Sequence, residues 1–549
     1  MARRSADGQS AQAPDRAEAR GRRWAGRVLI RCVLPIVLAL LTTPLGTPPR
    51  AQDFPRAPVE AVLTAAFEAV LERHLEPVAP PDLGLWSLRG LTALDPALVV
   101  EARDGNFRLL PAAAREGPPL AAQRAPLAPS GPRAPPSPAA AAADLVAAIA
   151  PLIEAAWAAS PAIRRAGAEG VLRALFEELF NYLDPYSRYV TAEEAQAARE
   201  RRVGHAGLGL RLAAGPGGTV RIASVMPGGP AARAGLRAGD RLLAIDGGPV
   251  SAADLEDAIK RLGGPEDSLV TLLVARGRRP REVLLVRSPV PPESVSVERS
   301  DDILWLRLAG FSNASDEQLA VALADAFGPQ QRHPPRGVVL DLRGNRGGLL
   351  AQAVAVADLF LPGGEILRTE GRHPDARRIY LAARPELAAG RPVVVLVDGR
   401  SASASEVVAA ALADRGRAVV VGSTTMGKGL VQLLIPLPDG GELLLSWSRL
   451  IAPRGWPIQG LGVMPAVCTS LGAAATEQAI ERLVATGEVP MAAALTRHAR
   501  ARVPVPAEEQ TALRNACPPA EGREADIAVA RLLLHNPQAW HAAARAAAR

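Results

Sequence analysis

From about residue 300 onwards, short apolar runs with the length and valine content of buried strands alternate with segments that carry helical spacing. A hairpin pattern comes after them, with its turn at Asp439-Gly440-Gly441. This alternation predicts an α/β core. The strand-like runs are 303–308, 337–342, 392–397 and 418–421, and the helical segments are 316–326, 349–361 and 403–415.

Residues 204–290 carry a different pattern, in which short apolar runs are punctuated by glycine. One helical segment, 253–262, interrupts the runs. A length of about 85 residues with this pattern is typical of a small β-rich domain.

The first glycine loop of this domain, Gly207-Leu208-Gly209-Leu210, resembles the carboxylate-binding loop of a PDZ domain. Pro227-Gly228-Gly229-Pro230-Ala231 and two later glycine-containing segments resemble the stretch after the second and third strands of a PDZ domain. The resemblance implies that the backbone N–H groups of the loop bind the terminal carboxylate of a peptide, while the strand beside it pairs with the peptide backbone.

The remaining segments are helical or rich in proline. With 549 residues the chain is long enough for three to five folding units. We expect an export leader (1–52), a helical N-terminal segment (53–116), a Pro/Ala-rich linker (117–142), a helical segment leading into the core (143–203), a PDZ domain (204–290), an α/β core (291–470) and an Ala-rich helical C-terminal segment (471–549).

The formal net charge of +7 comes mainly from the N-terminus, because residues 1–31 hold eight arginines against three acidic residues. Aromatic residues make up 3% of the chain and are not interleaved with basic ones, so we expect no nucleic-acid partner. The apolar run at 32–41 is shorter than the roughly 20 residues that span a bilayer. We therefore expect export to the periplasm or cell envelope, with a signal peptide that is either cleaved or retained as an anchor.

Cys468 and Cys517 are the cysteines that lie beyond the leader. In an oxidising compartment they either form a disulfide or remain two buried thiols, and the sequence leaves both open. The seven histidines are scattered without the close pairing typical of a zinc site, so no metal or other cofactor is expected.

Lysine is nearly absent, since Lys260 and Lys428 are the two lysines among 63 basic residues. Arginine keeps its proton in proteins, whereas a buried lysine can lose it. Lys428 lies between two glycines, and a neutral amine there could take the proton of an attacking serine hydroxyl. Gln432, four residues on, could hold the amine.

Serine side chains are placed where the run 392–397 meets the helix 403–415. Small residues at such a turn let the backbone approach a ligand, and the first N–H groups of the helix lack intrahelical partners. Ser403 is a candidate nucleophile, but Glu406 three residues later also completes a capping-box pattern. Spacing alone does not choose between these roles.

The segment 422–428 also has the spacing of a nucleotide-binding P-loop. Gly429, however, stands where that motif needs a magnesium-binding serine or threonine, and the next residues have a strand pattern instead of a helical one. An NTPase is therefore disfavoured.

Five blocks of the sequence resemble, in order, those of the carboxyl-terminal processing proteases, with the PDZ domain inserted after the first block. The resemblance covers about residues 170–470 and implies a crotonase-like core. It also implies Ser403 as nucleophile, Lys428 as base and Gln432 as supporting amide, with an oxyanion site at Gly347, Gly348 and Ala404. The blocks are 183–189, 338–350, 401–407, 422–432 and 458–465.

This chain departs from the family pattern at Tyr186, Arg188, Arg346 and Met426. None of these positions carries a reacting group, so the departures affect the expected substrate preference and not the expected activity.

Together these features predict an exported serine endopeptidase that recognises the C-terminal ends of protein substrates through its PDZ domain and hydrolyses peptide bonds with a Ser403–Lys428 dyad. The alternative is a catalytically inactive PDZ scaffold that binds peptides. A crotonase-like acyl-transfer enzyme has no nucleotide-cofactor signal to support it. The expected partners are proteins or peptides with free C-termini, while an activating adaptor protein and membrane association through the leader stay open.

Overall fold

The computed structural model describes residues 53–126, 136–226, 228–300 and 302–549, and for His205 the backbone alone. The predicted leader at 1–52 and the middle of the predicted linker lie outside these residues.

The N-terminal part combines helices with a small antiparallel sheet of order β1-β2-β3. Large apolar side chains, among them Phe67, Leu145 and Phe176, form its core. Ser137 and Ser160 cap the last two helices by accepting the N–H groups of Ala140 and Ile163. In chain order the elements are α1 (Arg56–Arg73), α2 (Pro80–Leu94), β1 (Leu98–Arg103), β2 (Asn106–Pro111), β3 (Ala121–Arg124), α3 (Pro138–Ala159) and α4 (Pro161–Leu183).

The linker is shorter than the predicted range 117–142, because Ala121–Arg124 pairs with β2 and α3 already begins at Pro138. The sheet also adds strands to the segment 53–116, which was predicted to be helical. Asp104 and Gly105, both with positive φ, form the two-residue turn between β1 and β2. Among the described helices, α3 is long and apolar enough to span a membrane, but its buried face belongs to this core.

The predicted PDZ domain is inserted after β4 (Arg188–Val190) and α5 (Ala192–Val203). Its main sheet has the order β11-β10-β8-β7-β6, so β6 lies at an edge. The strands that enter and leave the domain, β5 and β12, pair with each other. The elements are β5 (His205–Gly207), β6 (Leu210–Ala214), β7 (Val220–Val225), α6 (Pro230–Arg233), β8 (Arg241–Ile245), β9 (Gly248–Pro249), α7 (Leu255–Leu262), β10 (Leu269–Arg276), β11 (Arg279–Val286) and β12 (Ser288–Val290).

The α/β core is built on a sheet of order β13-β14-β15-β18-β19-β22, parallel from β14 onwards. A second sheet has the order β17-β16-β21-β20, with β4 also paired to β21. The elements are β13 (Val295–Ser300), β14 (Ile303–Leu308), α8 (Ser315–Phe327), β15 (Gly337–Asp341), α9 (Leu350–Asp358), β16 (Gly364–Glu370), β17 (Arg378–Ala382), β18 (Val393–Val397), α10 (Ala404–Asp414), β19 (Ala418–Gly422), β20 (Leu430–Pro436), β21 (Glu442–Ile451) and β22 (Val467–Cys468).

Both faces of the main sheet are covered, so its central strands β15 and β18 are buried at every position and are almost entirely apolar. Side chains such as Val395 pack against α8, α9 and α10 on one face. Val394 and its neighbours pack on the other face against the C-terminal helices, and Trp540 donates to the Val393 carbonyl. Those helices are α11 (Ala473–Thr486), α12 (Ala492–Arg500), α13 (Ala507–Ala516), α14 (Glu524–His535) and α15 (Pro537–Ala548).

A disulfide joins Cys468, at the end of β22, to Cys517, just after α13. Of the two alternatives left open by the sequence, the structure shows the bridge. It closes a loop across 49 residues of chain and ties the C-terminal helices to the edge of the core.

Candidate active site

Most of the predicted catalytic and oxyanion residues lie just after three neighbouring parallel strands, β15, β18 and β19, whereas Gln432 lies on β20. β15 leads to the turn at Gly347 and Gly348, β18 to Ser403, and β19 to the loop of Lys428. The carboxyl ends of parallel strands meet at one edge of the sheet, so residues far apart in the sequence come together there.

Ser403 occupies a strained backbone conformation at the start of α10. Its φ is +56° with ψ at −113°, a region that non-glycine residues rarely adopt and that costs about 1–3 kcal/mol. The Glu406 carboxylate accepts the Ser403 N–H at 2.7 Å and holds the turn. Strain of this kind at a strand-to-helix turn presents a side chain outward from the sheet.

The structure distinguishes Ser403 from the two other serines of the turn. Ser401 is buried and its hydroxyl donates to the Leu342 carbonyl, at 2.8 Å. Ser405 is also buried and donates to the Asn345 carbonyl, at 2.9 Å. Ser403 alone of the three is partly exposed, so it is the serine that a substrate can reach.

The lysine loop depends on its glycines. Gly427 has a φ of +85°, which favours glycine. A Cβ on Gly429 would lie 2.0 Å from the Gln459 amide nitrogen, so a side chain there would collide with backbone. These two positions let the loop pass close to the segment around Gln459 and fix the origin of the Lys428 side chain.

Lys428 is largely withdrawn from water. Its ammonium donates to Gln432 Oε1 at 3.1 Å, and Nζ lies 5.2 Å from the centroid of the Tyr186 ring. Burial lowers the pKa of Lys428, and the nearby Arg188 lowers it further. Among the described residues, no hydrogen bond joins Lys428 Nζ to Ser403 Oγ.

Glu406 is completely buried and links the serine turn to the lysine loop. Besides the Ser403 N–H, its carboxylate accepts the backbone N–H groups of Gly427, at 2.6 Å, and Lys428, at 2.9 Å, and the hydroxyl of Thr425. Burial raises the pKa of Glu406, and these four donors act against that rise. The capping residue suggested by the sequence therefore also fixes the spacing between the two predicted reacting residues.

Gln432 is itself held by the turn that begins at Asp184. Its amide nitrogen donates to the Tyr186 carbonyl. Asp184 accepts the N–H groups of Tyr186 and Ser187, each at 2.9 Å, and so fixes this turn. Burial opposes ionisation of Asp184, but hydrogen bonds from His74 and other neighbours hold its pKa well below the usual range.

The glycine turn after β15 lies directly against the serine turn. A Cβ on Gly347 would lie 2.9 Å from Ser403 Cβ and 3.0 Å from the Ala404 nitrogen. The Gly347 N–H donates to Asn345 Oδ1 at 2.8 Å. Within the described ranges, the N–H groups of Gly348 and Ala404 have no hydrogen-bond acceptor, so they are the two predicted donors left for an oxyanion.

The predicted peptide-binding loop lies between β5 and β6. Gly209 has a φ of +69°, and the carbonyls of Leu208 and Gly209 accept the N–H groups of Ala231 and Met226. The loop carbonyls are thus turned into the PDZ domain. The adjoining strand β6 is an edge strand beside α7, an arrangement that a peptide strand can extend.

The arrangement around Lys428 differs from that of a nucleotide-binding loop, because β20 and not a helix comes after it. In the part of the chain that the structure describes, no group of three or more histidine, cysteine or acidic side chains could hold a metal ion.

Two contributors to the site were not identified as functional from the sequence. Asp184 was visible only as part of a block that resembles a family pattern, and its hydrogen bonds to a distant strand are tertiary. The second is Arg514 of α13, whose guanidinium reaches the lysine loop. Nothing in the Ala-rich composition of that region indicated such a contact.

Comparisons with known proteins match two parts of the chain. The sequence profile of peptidase family S41 matches residues 302–468, and that of the PDZ domain matches residues 221–276. Among solved structures, the photosystem II D1 C-terminal processing protease is 30% identical, with 53% of this chain and 81% of that chain covered and a TM-score of 0.32.

Similar curated proteins have related names. The carboxy-terminal-processing protease of Bartonella bacilliformis is 37% identical over 286 residues, which are 52% of this chain and 66% of the relative. The carboxyl-terminal-processing protease of a Synechocystis species is 34% identical over 299 residues, which are 53% of this chain and 69% of the relative. A probable CtpA-like serine protease of Staphylococcus saprophyticus is 32% identical, with 57% of its length covered.

Proposed function

We propose that this chain, which belongs to the carboxyl-terminal processing proteases of the serine-type peptidase family S41, hydrolyses peptide bonds with Ser403 as nucleophile and Lys428 as base. The observation that carries the proposal is the environment of the two residues. Ser403 is the accessible serine of a strained turn, and Glu406 holds the backbone of Lys428 beside it.

The proposed reaction begins when Ser403 Oγ attacks the carbonyl carbon of the scissile bond and its proton passes to Lys428 Nζ. The N–H groups of Gly348 and Ala404 stabilise the resulting oxyanion. Collapse of this intermediate breaks the C–N bond, and Lys428 returns the proton to the leaving amine. Water then attacks the acyl-enzyme and Lys428 takes a proton from it. Collapse of this second intermediate breaks the ester bond, Lys428 returns the proton to Ser403 Oγ, and the released product carries a new carboxyl group.

Proton transfer requires the neutral amine, and burial favours that form of Lys428. It also requires Lys428 Nζ and Ser403 Oγ to come into hydrogen-bond contact. Catalytic contacts of this kind often tighten only when substrate binds.

Hydrolysis of unfolded casein by the purified protein tests this proposal. We expect cleavage by the wild-type protein, none by Ser403→Ala, and cleavage by Ser405→Ala, which loses a buried hydroxyl but no reacting group. Intact casein under every activation condition would favour the alternative of a peptide-binding scaffold.

We propose further that the PDZ domain selects substrates by their free C-terminus, which would bind the loop Gly207-Leu208-Gly209-Leu210. A terminal carboxylate accepts charge-assisted hydrogen bonds from backbone N–H groups, and an amide lacks that charge.

Amidation of the C-terminus of a peptide that binds should therefore weaken its affinity. The charge-assisted bonds contribute about 1.5–3 kcal/mol, so Kd should rise about tenfold to a hundredfold. Fluorescence anisotropy with matched acid and amide peptides measures this difference. Equal affinities would contradict carboxylate recognition by the loop.

We also propose export to the periplasm or cell envelope. The disulfide between Cys468 and Cys517 supports an oxidising compartment. The leader, whether cleaved or retained as a membrane anchor, and an activating adaptor protein remain part of this proposal.

A further inference from the structure

The C-terminal segment beyond the core packs against the loops that carry the candidate active site. The Ala520 carbonyl accepts the Gly399 N–H at 2.7 Å and the Ser423 hydroxyl at 3.0 Å. Gly399 precedes the serine turn, and Ser423 begins the lysine loop. This segment lies outside residues 302–468, the range that the S41 profile matches.

Arg514 of this segment reaches the lysine loop. Its Nη1 donates to the Thr425 carbonyl at 3.1 Å and to the Leu461 carbonyl at 3.0 Å. A Cβ on Gly427 would lie 3.2 Å from the same nitrogen. One guanidinium thus joins the lysine loop to the segment around Leu461. It lies against Gly427, the residue that precedes Lys428.

Thr425 connects the contacts of Arg514, which clamp the lysine loop, to the hydrogen bonds around Glu406. Its hydroxyl donates to the Glu406 carboxylate and accepts the Val463 N–H at 2.7 Å. Glu406 in turn accepts the N–H groups of Ser403 and Lys428. A shift of Thr425 would therefore be transmitted to both reacting residues.

The disulfide fixes the helix that carries Arg514. Cys517 lies three residues after Arg514, and its N–H donates to the Arg514 carbonyl at 3.3 Å. The bridge to Cys468 anchors this end of α13 to β22, which pairs with β19, and β19 leads into the lysine loop. Arg514 and the loop that it clamps are thus held by the same edge of the sheet.

We infer that Arg514 is a positioning residue for peptide hydrolysis, and that it acts by clamping the loop of Lys428 from the disulfide-anchored C-terminal segment. The inference rests on the proposed function. It makes a region outside the matched peptidase profile part of the working active site.

Loss of the Arg514 contacts should change both kcat and the pH dependence of peptide hydrolysis. The charged groups that face Lys428 are Arg188, Glu406 and Asp184. When the contacts of Arg514 with the lysine loop are lost, water reaches the amine, and this hydration raises the pKa of Lys428. The acid limb of the activity profile should then move to higher pH, because the neutral amine is the working form.

Arg514→Gln tests the inference, with Arg497→Gln as the matched control. Arg497 lies on the same segment, but its guanidinium pairs with Glu509 on the surface, where its side chain is 57% exposed. We expect kcat for a peptide substrate to fall about tenfold in Arg514→Gln with KM little changed. The acid limb should shift upward, Arg514→Lys should restore part of kcat, and the control should match the wild type.

A double variant, Cys468→Ser with Cys517→Ser, provides a test that leaves Arg514 in place. It should lower kcat and shift the acid limb in the same direction, by less than Arg514→Gln. If Arg514→Gln does not fold, this double variant still tests the inference.

Unchanged kcat in folded Arg514→Gln would overturn the inference, as would a lower kcat with an unmoved acid limb, which would mean a structural role alone. Hydrolysis by Ser403→Ala at the wild-type rate would instead overturn the proposed function. The two failures are therefore distinguishable.

Discussion

Lys428→Arg is expected to abolish peptide hydrolysis while the fold and peptide binding stay near normal. Arginine keeps its proton at any usable pH, so it cannot accept one from Ser403. General-base catalysis contributes about 10²–10⁴-fold, and the loss in kcat should be of that size. Steady-state cleavage of a peptide substrate, with peptide binding measured in parallel, checks this outcome.

The near-absence of lysine supplies a matched control. Lys260 lies exposed on α7 of the PDZ domain, and Lys260→Arg should keep most of the activity. The wild-type rate should also rise with pH through the lowered pKa of Lys428, since deprotonation produces the working amine. Substantial cleavage by Lys428→Arg, with contamination excluded by Ser403→Ala, would show that another group is the base.

Glu406→Gln is expected to lower kcat about a hundredfold, because it breaks the link between the serine turn and the lysine loop. The NH₂ group of the glutamine would then face N–H groups whose hydrogen bonds the carboxylate now accepts, among them those of Ser403 and Lys428. Each buried donor left without an acceptor costs about 1–3 kcal/mol, so stability should fall as well. Urea unfolding and kcat, measured on the same preparation, separate the two effects.

Glu194 offers the control for this variant. It completes a capping box with Thr191 at the start of α5, as Glu406 does at the start of α10, but its side chain is 52% exposed. Glu194→Gln should therefore change stability and kcat little. Equal small effects of the two substitutions would mean that Glu406 is a helix cap and nothing more.

The central architecture could be predicted because its signals are local. Strands such as Val393–Val397 are buried on both faces and appear in the sequence as continuous apolar runs. The predicted mixture of helix and sheet with a PDZ domain is confirmed, and so are the family resemblance and the serine-type peptidase class. The precise roles of Ser403, Lys428 and Gln432 stay predictions.

Other features were missed because they depend on contacts between distant segments. β3 contains Ala121 and Ala122 and comes after a proline-rich stretch, so only its pairing with β2 makes it a strand. Besides its bonds within its own turn, Asp184 accepts a hydrogen bond from Ser446, and Arg514 donates to the Leu461 carbonyl. Both of these partners lie more than 50 positions away, and no spacing in the sequence encodes such contacts. Glu406 was recognisable as a cap, but its bonds to the lysine loop were not.

The pairing of β5 with β12 has a consequence for how such a protein can change over evolutionary time. The polypeptide enters and leaves the PDZ domain side by side, and Gly204 packs so closely on the Val290 carbonyl that a Cβ there would lie 1.9 Å from its oxygen. A short turn across this ribbon can replace the whole insert without moving α5 or β13. Recombination can therefore exchange or remove the domain while the backbone around the hydrolytic centre stays the same.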